Sequence, residues 1–444
     1  MSILHFLLAE LKAEFSRSEK GKERSIWFLH TLLAIILPFT SSKTSNLLRV
    51  FHVLFGFAEI GKKRYYTFIA SPKIPWDRLW SRVWKMIPQP ETNGRLLVAL
   101  DDYLNPKTGQ KIFGCAKMFD HAAKQNQSRY PWAQNVVAIG LLKVIKGRWA
   151  CLPLSQRYYF SKDEISKNQP TFKGQEIAFQ TKHQQAVEML EVVGREFPQQ
   201  NILVVADSWF GNQGLWKPLR KALGKRVHLL SRLRANNNLY GMPDPSPRKC
   251  VGRPTKYGRH LGTTTFLANA NRDRAQEMAV NLYGRKRTVL FSQRIVMQKT
   301  LKCPIRVVWV YRRTQWIALF TTDLSLSVAE IIEYYGARWK IEAGFKELKQ
   351  DIGSAETQNR HPVAVQNHLN LCMMATSITW VYACHLNKTP SRRHAVKGRN
   401  HFAFSDVRRL IAQEALDKDF QLVCPLPRKP RENTFAAAFM RLAA

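Results

Sequence analysis

The segment YGARWKIEAGFKELK, residues 335–349, spaces Tyr335, Arg338, Glu342 and Lys349 so that a regular helix would carry them within an arc of about 60°. This stripe runs beside Ile341, Phe345, Leu348 and Ile352, the face a helix turns inward, while Glu333, Lys340, Glu347 and Asp351 form an ordinary solvated face. Charges beside a core need a reason. An intrahelical ion-pair stripe is one, worth only about 0.3–0.5 kcal/mol; chemistry is the other. Two more acidic sites close apolar runs: Asp101–Asp102 in RLLVALDDY and Asp207 in NILVVADSWFGN. Singly, an acid after a strand reads as a turn or helix cap. Together, acids at neighbouring strand ends and one on a helix can meet in the crevice where α/β sheets bind ligands. Three converging carboxylates need cations between them, and hard oxygen donors with open positions suit Mg²⁺ or Mn²⁺. Two such ions, about 3.5–4 Å apart, suit in-line phosphoryl displacement by an activated water. No Ser/His or Cys/His arrangement competes with this reading.

The elements that must position these residues follow from the apolar pattern. Residues 95–103, 135–144, 148–154, 201–212 and 227–234 read as strands, with a helix over 182–197. Strands in antiparallel succession and then strand–helix–strand predict a mixed α/β sheet. Between 232 and 302 fifteen Lys/Arg face three acids, and LYGRKRTVLFSQRIVMQK (282–299) reads as a hairpin with a Gly-containing turn, so a basic β-rich insertion is expected. IRVVWVYR and WIALFTTD return to buried strands, followed by the Glu342 helix and another at 363–384. Residues 1–92 read as a helical, DNA-binding domain ending in the linker IPQPETNG (87–94). The expected order is then a core at 93–235, the insertion at 236–300, the rest of the core at 301–390 and a basic C-terminal region at 391–444.

A net charge of +37 over 444 residues suits a polyphosphate partner and not a small neutral substrate. Aromatic content of 11% argues for a folded basic protein over a basic tail. Seven scattered cysteines without zinc spacing fit reduced thiols of a cytoplasmic chain. The opening MSILHFLLAELKAEF reads as an amphipathic helix and not a signal peptide, and WFLHTLLAIILPF is too short to cross a bilayer, a buried helix ending near Pro38.

The spacing Y-x2-R-x3-E-x6-K of Tyr335, Arg338, Glu342 and Lys349 resembles the signature of DDE transposases of the insertion sequence 4 type. ALDDYLNPKTGQKIFG (99–114) resembles the first-aspartate segment of that group and VVADSWFG (204–211) the second, over about residues 95–385. The resemblance implies an RNase H-like core with Asp101, Asp207 and Glu342 as ligands of two Mg²⁺ (or Mn²⁺) ions. Asp102 is the alternative first ligand, since Tyr103 stands where the family often has Thr. It implies that Tyr335, Arg338 and Lys349 hold DNA phosphates. It further implies cleavage and strand transfer at terminal inverted repeats of double-stranded DNA, by a dimer in a synaptic complex associated with the nucleoid. The basic insertion resembles the module tied to hairpin release in related enzymes. Arg232 is a DNA contact or a partner of the acids; Arg253, in GRPTKYGR, is a minor-groove contact or part of a plain basic turn. Trp209, Trp309, Trp316 and Trp339 read as core or as base-stacking residues, His121 as a cap or a structural histidine, and Lys107 and Lys111 as phosphate contacts. The alternative functions are a catalytically inactive relative acting as a DNA-binding regulator, and a basic RNA-binding protein.

Overall fold

The computed structural model describes residues 2–55, 60–120, 123, 125–126, 128–243, 255–394 and 401–415. Five helices come first: α1 (Ile3–Ala13), α2 (Glu19–Ile36), α3 (Thr44–Val53), α4 (Lys62–Ile69) and α5 (Trp76–Lys85). Strands β1 (Arg95–Pro106), β2 (Cys115–Lys117), β3 (Trp132–Ile145) and β4 (Arg148–Tyr159) follow. Helix α6 (Lys162–Asn168), the ribbon β5 (Thr171–Phe172) and β6 (Gln175–Glu176), and α7 (Lys182–Glu196) lead to β7 (Asn201–Ala206), α8 (Gln213–Leu223) and β8 (Val227–Arg232). Next come β9 (Asn238–Tyr240), β10 (His260–Thr263), α9 (Thr264–Ala270), β11 (Gln276–Leu282), β12 (Arg285–Gln298), β13 (Cys303–Arg312) and β14 (Gln315–Thr321). Helices α10 (Val328–Ala337), α11 (Trp339–Lys346), α12 (Pro362–His385) and α13 (Phe404–Ala415) complete the chain.

The fold is mixed α/β around one large sheet. Its main path runs β4-β3-β1-β7-β8-β14-β13-β12, with β9 and β10 beyond β12. Strands β1, β3 and β4 form an antiparallel meander, whereas β7 and β8 run parallel to β1. Parallel neighbours need crossover connections, which α7 and α8 provide. Leu96–Leu100 of β1 are buried without alternation, as a strand covered on both faces must be. Local signals set the helix starts: Thr181 and Gln184 make a capping box for α7, Ser327 and Glu330 one for α10.

The hairpin expected at 282–299 has its Gly-containing turn within that stretch, but it reaches further back than expected. Its turn is Tyr283–Gly284, both at positive φ, and the strand before it begins at Gln276. Strand β12 then runs on, pairing first with β11 and then with β13. The basic strands therefore extend the central sheet and do not form a sheet of their own.

The N-terminal helices close on α12, which is buried on nearly all sides. Trp76 Nε1 donates to Asn367 Oδ1 at 2.7 Å, Asn367 Nδ2 to the Ile69 carbonyl at 2.8 Å, and His368 Nε2 to the Ser42 carbonyl at 2.7 Å. One contiguous cluster of buried apolar residues runs from Leu4 to Ile411. Among the described residues no helix is long and apolar enough to cross a membrane.

Candidate active site

Strand β1 pairs in parallel with β7 up to Leu100 opposite Ala206. Asp101 and Asp207 are the next residues on each chain, so the register brings the two acids to one edge of the sheet. After β7 the chain turns sharply. Asp207 Oδ1 accepts the Trp209 and Phe210 backbone N–H groups, both at 3.0 Å, and the Asp207 carbonyl accepts Ser231 Oγ at 2.6 Å. Gly211 is required there, because a Cβ would stand 2.1 Å from Ser231 Oγ.

The third acid comes from α11. Arg338 lies at the junction of α10 and α11 with helical torsions (φ −49°, ψ −37°). Its Nη1 donates to Asp101 Oδ2 at 2.9 Å and its Nη2 to Glu342 Oε1 at 3.2 Å. The Arg338 side chain is only 8% exposed, and its Nε has no hydrogen-bond partner. Its guanidinium lies 5.7 Å from the Tyr335 ring and 5.6 Å from the Trp339 ring. Burial pushes the Asp101 carboxyl up to about 7; Arg338 opposes the shift and the charge of Asp207 adds to it. Glu342 is raised for the same reasons, burial first, with Arg338 lowering and Asp207 raising. Asp207 thus lies within reach of the charges of both Asp101 and Glu342, which Arg338 bridges.

Asp102 points to the other face of β1. Its Oδ2 accepts Lys182 Nζ at 2.7 Å, from the first turn of α7. Lys182 lies over the rings of Tyr159 (5.1 Å) and Trp209 (5.6 Å), and His183 stacks on Trp209 at 4.7 Å with an interplanar angle of 13°. Sequence reasoning missed Lys182 and His183. The signal was their place at the start of a helix following β4, but the partner across the sheet is a tertiary fact.

Several expectations need correction. The four-residue stripe does not lie on one regular helix: α10 and α11 meet at Arg338, and Glu347–Asp351 form a wider π-turn. Lys349, in that turn, donates to the Leu104 carbonyl at 3.4 Å and lies 5.5 Å from the Tyr103 ring, making no bond to the acids. Tyr335 is half-buried, and exposed Arg232 at the end of β8 is near enough for its charge to act on it. Lys107 is buried, with Nζ bonded to the Ser354 and Ala355 carbonyls at 3.1 and 2.8 Å, so it is a structural residue and not a phosphate contact; Lys111 is exposed. Trp309 is core, whereas Trp209 and Trp339 are 43% and 50% exposed. Arg253 and His121 lie outside the described residues.

Among the described residues no three His, Cys, Asp or Glu side chains are arranged to hold a metal ion, and the Arg338 guanidinium bridges Asp101 and Glu342. The donor set itself fits a hard divalent cation: carboxylate oxygens, one of them buried enough to demand a positive partner.

Asp101 in the middle of β1, Asp207 just after the neighbouring β7 and Glu342 on a packed helix are three acids gathered on a strongly basic chain, a candidate nuclease-type site. The sequence model of the DDE superfamily endonuclease family matches residues 12–295, well over half of the 444-residue chain. The chain belongs to that family, whose substrate is DNA and which generally uses divalent metals. The matched span contains Asp101 and Asp207 and ends before the helix that carries Glu342. No curated protein matches the chain.

Proposed function

We propose that this chain is an insertion-sequence transposase of the insertion sequence 4 type, built on an RNase H-like core. It binds terminal inverted repeats as a dimer in the synaptic complex, cuts at their ends, and joins the freed 3′-hydroxyl to target DNA. The strand order β4-β3-β1-β7-β8, three antiparallel and two parallel, supports the core assignment. The observation that carries the reading is that Asp101 and Asp207 each directly follow the last parallel pair of β1 and β7, Leu100 opposite Ala206, with Glu342 reaching Asp101 through Arg338.

In this reading Asp101, Asp207 and Glu342 hold two Mg²⁺ (or Mn²⁺) ions, which when bound supply charge stabilisation and an activated water for in-line displacement. Asp101 is the first ligand because it, and not Asp102, shares a face with Glu342. Arg338 offers a planar fork to phosphate oxygens and Lys349 a point charge. Tyr335 and Arg232 line the same side. The N-terminal helices offer a second basic surface, where Lys20, Arg24, Lys63 and Arg64 surround Trp27 and Phe68. Arg253 remains a proposed DNA contact from sequence alone.

The test is cleavage of a labelled duplex carrying the inverted repeat that flanks this gene, with Mg²⁺ or EDTA. Cutting at the repeat boundary that needs Mg²⁺ and disappears in Glu342→Gln, while duplex binding persists, is the expected result. Unchanged cutting by Glu342→Gln overturns the site. Tight binding without cutting by the wild type points instead to a catalytically inactive DNA-binding regulator.

A further inference from the structure

We propose that Arg338 is a resident counter-cation that keeps divalent ions out of the acid site until DNA phosphate draws its guanidinium away. This rests on the three-carboxylate reading above and adds a gate to it.

The argument begins with the geometry. Arg338 does not grip one carboxylate with both arms, the arrangement a stabilising ion pair favours. It spends one terminal N–H on Asp101 of β1 and another on Glu342 of α11, at 2.9 and 3.2 Å. The guanidinium therefore sits between two of the three carboxylates that would hold the metal ions in the reading above. A dication and a guanidinium placed between the same two acids repel each other, so occupancy by one excludes the other.

The residue also has somewhere to go. Arg338 Nε is buried and has no acceptor, so the resting arrangement does not use the whole fork. Glu342 is 41% exposed at its side chain, and Trp339, whose ring flanks the guanidinium, is half exposed. The Arg338 side chain itself is only 8% exposed, but two of its neighbours, Glu342 and Trp339, both reach solvent. A phosphodiester arriving there offers oxygens in the planar pattern that an arginine fork matches.

Linkage makes this quantitative. If DNA and the divalent ion compete with and relieve the same contact, DNA must tighten ion binding, and the ion must tighten DNA binding by the same factor. Removing Arg338 removes the competitor, and the coupling goes with it.

The experiment measures Mn²⁺ binding, read from the electron paramagnetic resonance signal of free Mn²⁺ at pH 8. It uses the full chain with and without a saturating duplex that lacks the inverted repeat. For the wild type, the duplex should tighten Mn²⁺ binding by about tenfold or more. Arg338→Met should bind Mn²⁺ about tenfold more tightly than wild type without DNA, with a coupling factor near one. Arg338→Lys, which keeps the charge but cannot span both acids, should fall between and guards against a folding defect in the Met variant. Asp207→Asn serves as the control for the underlying reading. Equal Mn²⁺ affinity of the wild type with and without duplex overturns the gate. So does weaker DNA-free binding in both Arg338 variants. If Asp207→Asn and Glu342→Gln leave Mn²⁺ binding unchanged, the carboxylate reading itself fails. If they abolish it while Arg338 substitution has no effect, the gate alone fails.

Discussion

Successive residues of a strand face opposite sides of the sheet, and that alternation separates Asp101 from Asp102. Asp101 faces α11 and is held by Arg338; Asp102 faces α7 and is held by Lys182. The two acids therefore fail differently when changed to the amide. Asp101→Asn should abolish Mg²⁺-dependent cleavage with little change in folding. Asp102→Asn should keep cleavage within about tenfold of wild type. It should cost about 1–3 kcal/mol of stability, because it leaves the Lys182 ammonium, itself only 16% exposed, without its acid. Urea denaturation and duplex cleavage run side by side on both variants check this; loss of cleavage in Asp102→Asn alone reverses the assignment. The pair DD could be read from sequence as a site, but not which member faces the helix, because the phase of a strand relative to its partners is set by tertiary packing.

The elements show where sequence reading succeeds and where it stops. The end of β7 was legible because its apolar run stops at Asp207, whereas β1 continues past Asp101 to Pro106, and the register that sets Leu100 opposite Ala206 is a tertiary fact with no local signal. The π-turn at Glu347–Asp351 was not legible, since nothing in ELKQD departs from helical composition. Nor was the continuity of β12 with the central sheet, because pairing partners far apart in sequence leave no local signature. The turn after β7 is the element on which Asp207 depends, and its tolerance is testable. Gly211→Ala places a Cβ 2.1 Å from Ser231 Oγ and 2.6 Å from Ser231 Cβ, so the turn must shift and carry Asp207 with it. Cleavage should fall by about a hundredfold, the scale expected for misplacing a catalytic group by about 1 Å. Adding Ser231→Gly removes both clashing atoms and should restore a large part of it. A double variant no better than Gly211→Ala shows that the clash is not the cause.

At the scale of the whole molecule, the N-terminal helices and α12 share a core that contains two buried histidines. Burial pulls both His30 and His368 down to about 4; a backbone carbonyl partner of each opposes the shift, and the charge of Lys107 lowers His368 further. The unfolded chain takes up these protons near pH 6.5 and the folded chain only near 4, so stability is full above about 6.5 and falls as pH drops toward 4. Asp101 and Glu347, both raised to about 7 chiefly by burial, act in the opposite sense over the same window, so the histidine contribution is read by comparing a variant with the wild type. Relative to wild type, His368→Gln, which keeps a donor for the Ser42 carbonyl, should lose less melting temperature between about pH 6.5 and 4, and an unchanged difference across that range removes His368 from the cause. The net charge of +37 adds a second whole-molecule expectation that was plain from composition: duplex affinity should fall steeply with salt.

The embrace of α12 by the first five helices has a consequence for how the protein is made. Residues 3–85 emerge first, yet the surface they close upon begins at residue 362, roughly 280 residues later. At about 5–20 residues per second, translation leaves those helices waiting on the order of 15–60 s for their partner. During that wait their apolar faces belong to chaperones or proteases. A chain truncated before α12 should therefore be degraded faster than the full chain, which a pulse-chase comparison of the two would read.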